Sequence, residues 1–174
     1  MMRYIVASVT IFAFVLFVFY AVHGRSEAVK TEDIIKNAMK GVWQLERIVH
    51  PSGKVVKPPA AKLYVCITDE YMFTSELSPV SEGEELTLWC HVWRYTVEGT
   101  KMTIVTELRG EHWPDGSLRK ATDAETHTTD VRLDGEKVEM EVPLTPATAV
   151  FDGDALTLSY WGTNEILKRV QRFD

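Results

Sequence analysis

The run Trp89-Cys90-His91-Val92-Trp93-Arg94-Tyr95-Thr96-Val97-Glu98-Gly99-Thr100-Lys101-Met102-Thr103-Ile104-Val105-Thr106-Glu107-Leu108 decides the fold. On one side of Glu98-Gly99, Trp89, His91, Trp93, Tyr95 and Val97 alternate with Cys90, Val92, Arg94, Thr96 and Glu98. On the other, Met102, Ile104, Thr106 and Leu108 alternate with Thr103, Val105, Glu107 and Arg109. A period of two sustained this long is a half-buried strand, since a helix would repeat at 3.6. The glycine-bearing break between the runs predicts an antiparallel hairpin. Arg94 belongs in water, so the face carrying Trp89, His91, Trp93 and Tyr95 is expected to point inward.

The same period extends outward along the chain. Leu63-Val65-Ile67, Val138-Met140-Val142, Leu156-Leu158-Tyr160 and the stretch from Ile166 to Phe173 all read as strands. Ser52-Gly53, Glu82-Gly83, Asp115-Gly116, Asp134-Gly135, Asp152-Gly153 and Trp161-Gly162 supply the turns, Asp134-Gly135 being the strongest hairpin signal. About eight or nine antiparallel strands with no second helix of note must close or stack to hide their edges. The one helix is Thr31 to Lys40. Acidic residues fill its first turn, Gly41 stops it, and Ile34, Ile35, Ala38 and Met39 form an apolar stripe that must dock.

The N-terminus is a separate object. Nineteen residues, Tyr4 to Val22, carry no charge, glycine or proline. They are long for a signal-peptide core and nearly long enough to span a bilayer of about 30 Å. Residues 1–24 therefore read as a signal peptide or a signal anchor, residues 25–40 as linker and short helix, and residues 41–174 as one β domain. Either reading of the leader predicts an exported protein, periplasmic or secreted. It would touch a membrane only through residues 4–22, and only if they are uncleaved.

Composition narrows the partners. The 174 residues carry 19 basic and 25 acidic side chains, a net charge of −6. Without residues 1–24 the basic count falls to 18 and the charge to −7. A nucleic-acid binder would want a basic surface, so none is expected as a partner. Two cysteines cannot build a four-cysteine zinc site. Cys66 and Cys90 both lie on the face opposite the apolar one, and their strands read as consecutive. An oxidising compartment then allows a disulfide between them, the alternative being two free thiols.

Gly41-Val42-Trp43 directly after the short helix, and Leu167-Lys168-Arg169-Val170-Gln171-Arg172 near the end, resemble the lipocalin pattern, more closely that of short bacterial lipocalin-like domains. Tyr95-Thr96-Val97-Glu98-Gly99-Thr100-Lys101-Met102-Thr103, Arg132-Leu133-Asp134-Gly135 and Asp152 to Leu158 resemble the later hairpins of that family. The resemblance spans roughly residues 40 to 174. It implies an up-and-down, calycin-type barrel. The Trp of the first strand would close the barrel base, and Arg169, or failing it Arg172, would lie over its ring. The second and third lipocalin signature regions are absent.

No nucleophile elbow, phosphate loop or His-Glu-x-x-His motif occurs. His50 and His112 adjoin turns, whereas His91 and His127 sit within strands on faces shared with apolar residues. No third ligand accompanies them, so neither a metal nor a cofactor is expected. The polar stretch from Arg109 to Thr128, with Trp113 in it, is expected to flank the barrel mouth. The leading expectation is a binder of a small hydrophobic ligand, with Trp89, His91, Trp93, Tyr95 and His127 around it. Two alternatives are an enzyme using His91 with a carboxylate, and an envelope module whose lumen is filled.

Overall fold

The computed structural model describes residues 31–79, 86–112, 116–121, 124–142 and 147–173. The leader, residues 4–22, and Trp113 lie outside them. Helix α1 spans residues 31–39. It is followed by β1 (Gly41–Val49), β2 (Val55–Val56), β3 (Lys62–Ile67), β4 (Tyr71–Pro79), β5 (Leu86–Glu98) and β6 (Lys101–His112). Then come β7 (Leu118–Ala121), β8 (Thr126–Asp134), β9 (Lys137–Val142), β10 (Ala147–Asp152), β11 (Ala155–Tyr160) and β12 (Thr163–Gln171).

All pairings are antiparallel, and β12 returns to pair with β1 from Gln171 opposite Val42 to Asn164 opposite Val49. Ten strands thus close an up-and-down barrel, with the short strands β2 and β7 hydrogen-bonded to β1 and β6. Closure joins the first strand to the last, which is how so many short strands hide most of their edges. The count exceeds the eight or nine read from the sequence because β4 and β10 carry no clean alternation. Met72, Thr74 and Glu76 share the inner face of β4 while Phe73 stands 40% exposed outside, so polarity there does not track burial. The stretch from Arg109 to Thr128 is not all loop either. Arg109 to His112 continue β6, and β7 pairs with them.

One end of the barrel is shut. Ile35 and Met39 of α1 are fully buried against the core. Glu32 accepts a hydrogen bond from Gly99 N at 2.9 Å, and Lys40 pairs with Asp69 at 3.0 Å, so the helix is tied to two hairpin turns. Trp43 Nε1 donates to the Met39 carbonyl at 2.9 Å, and the Arg169 guanidinium carbon sits 4.3 Å from the Trp43 ring centroid. Arg172, by contrast, reaches outward to Asp154 at 3.1 Å. Gly41 has φ +135°, and a Cβ there would collide with the Gln171 carbonyl oxygen. That glycine is required by both backbone and space.

Two expectations need correction. Cys66 and Cys90 are free thiols. Strand β4 lies between their strands, Cys66 pairing with Phe73 and Cys90 with Ser75. Two ladder spacings of about 4.8 Å already exceed the reach of a disulfide. Leu108 does not share the inner face with Met102, Ile104 and Thr106. A bulge in β6 places Trp93 opposite Thr106 but Val92 opposite Leu108, with Glu107 as the extra residue. Beyond it the faces exchange.

Replacing Trp43 by Ala is expected to cost about 3–5 kcal/mol, because a fully buried indole and the seat of a guanidinium both go. Gly41→Ala should cost more than about 1 kcal/mol through its backbone alone. Denaturant melts of the two variants check both values; a Trp43→Ala loss below 1 kcal/mol would contradict this account of the closed end.

Candidate functional site

The inner wall grows polar away from α1. Along β5 the inward residues run Val97, Tyr95, Trp93, His91, Trp89. Along β4 they run Met72, Thr74, Glu76, and along β11 Leu156, Leu158, Tyr160. On β12 the order from the closed end is Arg169, Leu167, Glu165. Each series starts among the closed-end core and ends in a side chain that carries a polar group.

Between the two zones lies a cavity of about 100 Å³. Its walls include Val65, Met72, Trp93, Ile104, Phe151 and Leu158. A dry apolar cavity of about 150 Å³ takes up benzene, so a single ring would enter this smaller space only if its walls or the adjoining crevice gave way. A larger crevice of about 450 Å³ opens beside it and shares Ile104, Met140 and Val142 with it. The crevice follows from pairing. Residues Thr126 to Asp130 of β8 hydrogen-bond to β6, whereas β8 meets β9 only from Val131 to Asp134.

Of the residues singled out in sequence, Trp93 lines the cavity. His91 stacks on Trp93 with ring centroids 5.0 Å apart and planes 12° from parallel. The Thr74 hydroxyl lies 3.3 Å from His91 Nδ1. Burial lowers the His91 pKa from its ordinary value, the Arg109 charge lowers it further, and Glu111 partly offsets both. The imidazole is therefore neutral at pH 7. Trp89 is half-buried one step further out. Tyr95 is elsewhere in role: it is buried toward the closed end, and its hydroxyl donates to the Thr68 carbonyl at 2.6 Å. Burial, with Asp69 adding to it, raises its pKa. His127 lies in the side crevice, 3.5 Å from Glu125, and not beside His91.

The structure adds groups that the sequence reading passed over. Arg109 donates to Glu111 Oε1 from Nε at 3.1 Å and Nη2 at 2.9 Å, on the face of β6 that meets His91 and Trp89. Glu165 is 3% exposed and accepts a short hydrogen bond from the Tyr160 hydroxyl. Burial first, and then the Glu76 charge, push its carboxyl up to about 8, against the opposing effect of the Tyr160 bond. Burial and the same carboxylates raise Tyr160. One signal was available: period two from Leu167 and Arg169 puts Glu165 on the core face of β12. Among the described residues no group of three or more His, Cys, Asp or Glu side chains could hold a metal ion.

The described residues thus form a closed antiparallel barrel, shut at one end by a short helix and latched by Trp43 and Arg169 across its first and last strands. Two solved structures were found similar to it. A lipocalin-like protein from Bacteroides uniformis is 16% identical, with 76% of this chain and 98% of that chain covered, at a TM-score of 0.34. An uncharacterized protein from Bacteroides eggerthii is 13% identical, with 75% and 98% covered and the same TM-score of 0.34. No family model and no curated protein matches the chain.

The buried carboxyl makes stability depend on pH. Folded, Glu165 keeps its proton to about pH 8, whereas the unfolded chain releases it near the ordinary 4.5. Between those values the unfolded state binds fewer protons, so this contribution is intact below pH 4.5 and is lost as pH rises toward 8. Glu165→Gln keeps an acceptor for Tyr160 and removes the titration. Its stability relative to wild type is expected to rise by a few kcal/mol from about pH 5 to pH 8.5. Denaturant melts at the two pH values measure it; a constant difference would mean Glu165 is ionised in the fold.

Proposed function

We propose that the protein is an exported lipocalin-like binder that holds one small apolar or aromatic molecule in its barrel. The observation that carries this reading is the apolar cavity walled by Trp93, whose ring stacks on that of His91. Flat aromatic walls suit a planar guest, and a few polar tips at one end orient it. His91 does not line the cavity but stacks on Trp93, which does; with Nδ1 engaged by Thr74, Nε2 is the ring nitrogen left for a guest that extends past Trp93. The uncharged leader, residues 4–22, supports export with or without cleavage. The small hydrophobic ligand is the expected partner.

A second reading is favoured by one observation, the carboxyl of Glu165 held beside Glu76 and Tyr160 inside the barrel. A carboxylic acid kept protonated near neutral pH is suited to general acid catalysis. The binder is preferred because neither Glu165 nor Tyr160 belongs to the cavity wall. Their hydrogen bond is also spent on each other.

Tryptophan emission titrated with toluene and with benzyl alcohol tests the binding. Both are expected to shift the emission and to saturate below millimolar concentration. His91→Ala should weaken benzyl alcohol several-fold more than toluene, since only the alcohol can use the imidazole. If neither compound shifts the emission at millimolar concentration, the lumen is filler and the binder reading is wrong.

A further inference from the structure

The crevice of about 450 Å³ is a gap in the barrel wall between β8 and β9. Strand β8 is hydrogen-bonded to β6 over Thr126 to Asp130, yet meets β9 only from Val131 to Asp134. Two bonds fix the direction of its remaining main-chain groups: Val131 N donates to the Thr100 carbonyl, and Thr106 N to the Glu125 carbonyl. Along an antiparallel strand, successive residues turn their N–H and C=O to opposite neighbours. Glu125, His127, Thr129 and Val131 therefore turn theirs to β6, while Thr126, Thr128 and Asp130 turn theirs into the gap. Among the described residues no strand pairs with this edge, and the Asp130 carbonyl has only the Thr129 hydroxyl, at 3.5 Å. By the same alternation Glu141 of β9 presents its main-chain groups from the other side. Unpaired main chain along a strand edge is a template for another strand.

We propose that this gap binds an extended segment of a partner protein, added as a strand to β8, in which apolar residues alternate with basic ones. The proposal is independent of the binder reading. Three residues of strand fill a slab about 10 Å long, 4.8 Å wide and 10 Å deep, roughly 480 Å³, which matches the gap. Side chains of such a segment point alternately inward and outward. Those pointing inward meet Ile104, Met140 and Val142, the apolar floor. Those pointing outward meet Asp130, Glu139 and Glu141, among which Arg132 is the one cation of the lining. Arg132 is drawn to Glu139 at 3.8 Å, and Lys101 pairs with Asp130 at 3.0 Å. The rim keeps an acidic surplus, to which Glu125, 3.5 Å from His127, adds. A second copy of this chain, with its net charge of −6, is a poorer match to such a rim than a basic segment.

Three fluorescein-labelled octapeptides separate the terms: one of alternating lysine and valine, one of alternating glutamate and valine, and the lysine–valine peptide N-methylated at every lysine. With valines inward, the lysines lie opposite Thr128 and Asp130 and supply the bonds to β8. N-methylation there removes those donors and keeps the charge. Anisotropy titration of the full protein is expected to show the lysine–valine peptide binding, the methylated one at least about tenfold weaker, and the glutamate one weakest. Replacing Glu139 and Glu141 together by Gln should weaken the lysine–valine peptide several-fold and flatten its salt dependence. Hydrogen exchange should slow at the Thr126, Thr128 and Asp130 amides when that peptide binds, and stay unchanged at Thr129, whose N–H is already turned to β6. Equal binding of the methylated peptide, or slowed exchange elsewhere only, would overturn strand addition. Tightest binding of the glutamate peptide would overturn the basic class. Dimerisation that protects the same three amides without peptide would make the occupant a second copy and overturn the partner. If none of the three peptides binds at millimolar concentration, the proposal is wrong.

Discussion

The contact on which the fold depends is the one between Trp43 and Arg169. An antiparallel barrel has to join its first strand to its last, and these are separated by the whole domain in sequence. The register of that seam puts Trp43 opposite Arg169, with a shift between Val42 and Trp43 that lets Gly41 approach Gln171. The guanidinium lies over the indole and donates to the carbonyls of Ala38 and Gly153. The indole N–H takes the Met39 carbonyl. Two of the last carbonyls of α1, which no helix can satisfy internally, are thus held by the seam, and a cation stands where the helix dipole is negative. Helix docking and barrel closure are one event. A lysine could not replace Arg169, since only the planar fork stacks on the ring while reaching two carbonyls.

With that end shut, the polar groups inside the barrel other than Arg169 and the Tyr95 hydroxyl lie toward the other end. The closed half is packed with Ile35, Met39, Trp43, Val97, Met102, Val138, Phe151 and Leu167, all at most 5% exposed. The other half holds Thr74 with His91, Arg109 with Glu111, and Tyr160 with Glu165. These pairs are largely self-compensating, which is how charged and polar groups are kept in a low-dielectric interior. The Glu165 carboxyl stays neutral, and the Arg109–Glu111 pair cancels. Apart from the Glu76 carboxylate, a wall built this way exerts little net charge on the space beneath it.

Most of the barrel was legible in the sequence because most strands keep strict alternation, as Lys137 to Val142 does. The seam was legible too: Gly41-Val42-Trp43 and Arg169 stand at opposite ends of the domain and needed only the right register. What escaped has physical causes. Strand β4 was hidden because its inner face passes from Met72 to Glu76 while Phe73 points out, so burial and polarity decouple along it. The disulfide expectation failed as a consequence, since an unseen strand made β3 and β5 look adjacent. The aromatic stripe of β5 faces inward as read. It is not one wall, however. Tyr95 satisfies its hydroxyl at Thr68 and belongs to the core, while Trp93 and His91 lie further out along the same face.

The division between core and site is made by a single residue. Up to Thr106 the inner face of β6 carries Met102, Ile104 and Thr106, as simple alternation requires. Glu107 is the bulged residue, and it spends its carboxylate outside on Arg94 at 2.9 Å. After it the parity reverses, so that Leu108 is exposed and Arg109 and Glu111 turn to meet His91 and Trp89. Without the bulge, Leu108 and Gly110 would occupy those positions, and His91 would face an apolar wall with no charge near it. The same insertion leaves Thr106 as the last inward residue before the break, opposite Trp93. A β-bulge re-aims side chains at a cost of one ladder position. Here that one position converts the upper part of a plain core into a lumen with donors, acceptors and a neutral imidazole. No count of alternating residues could have disclosed it, because the pattern Met102, Ile104, Thr106, Leu108 reads unbroken in the sequence and is broken only in register.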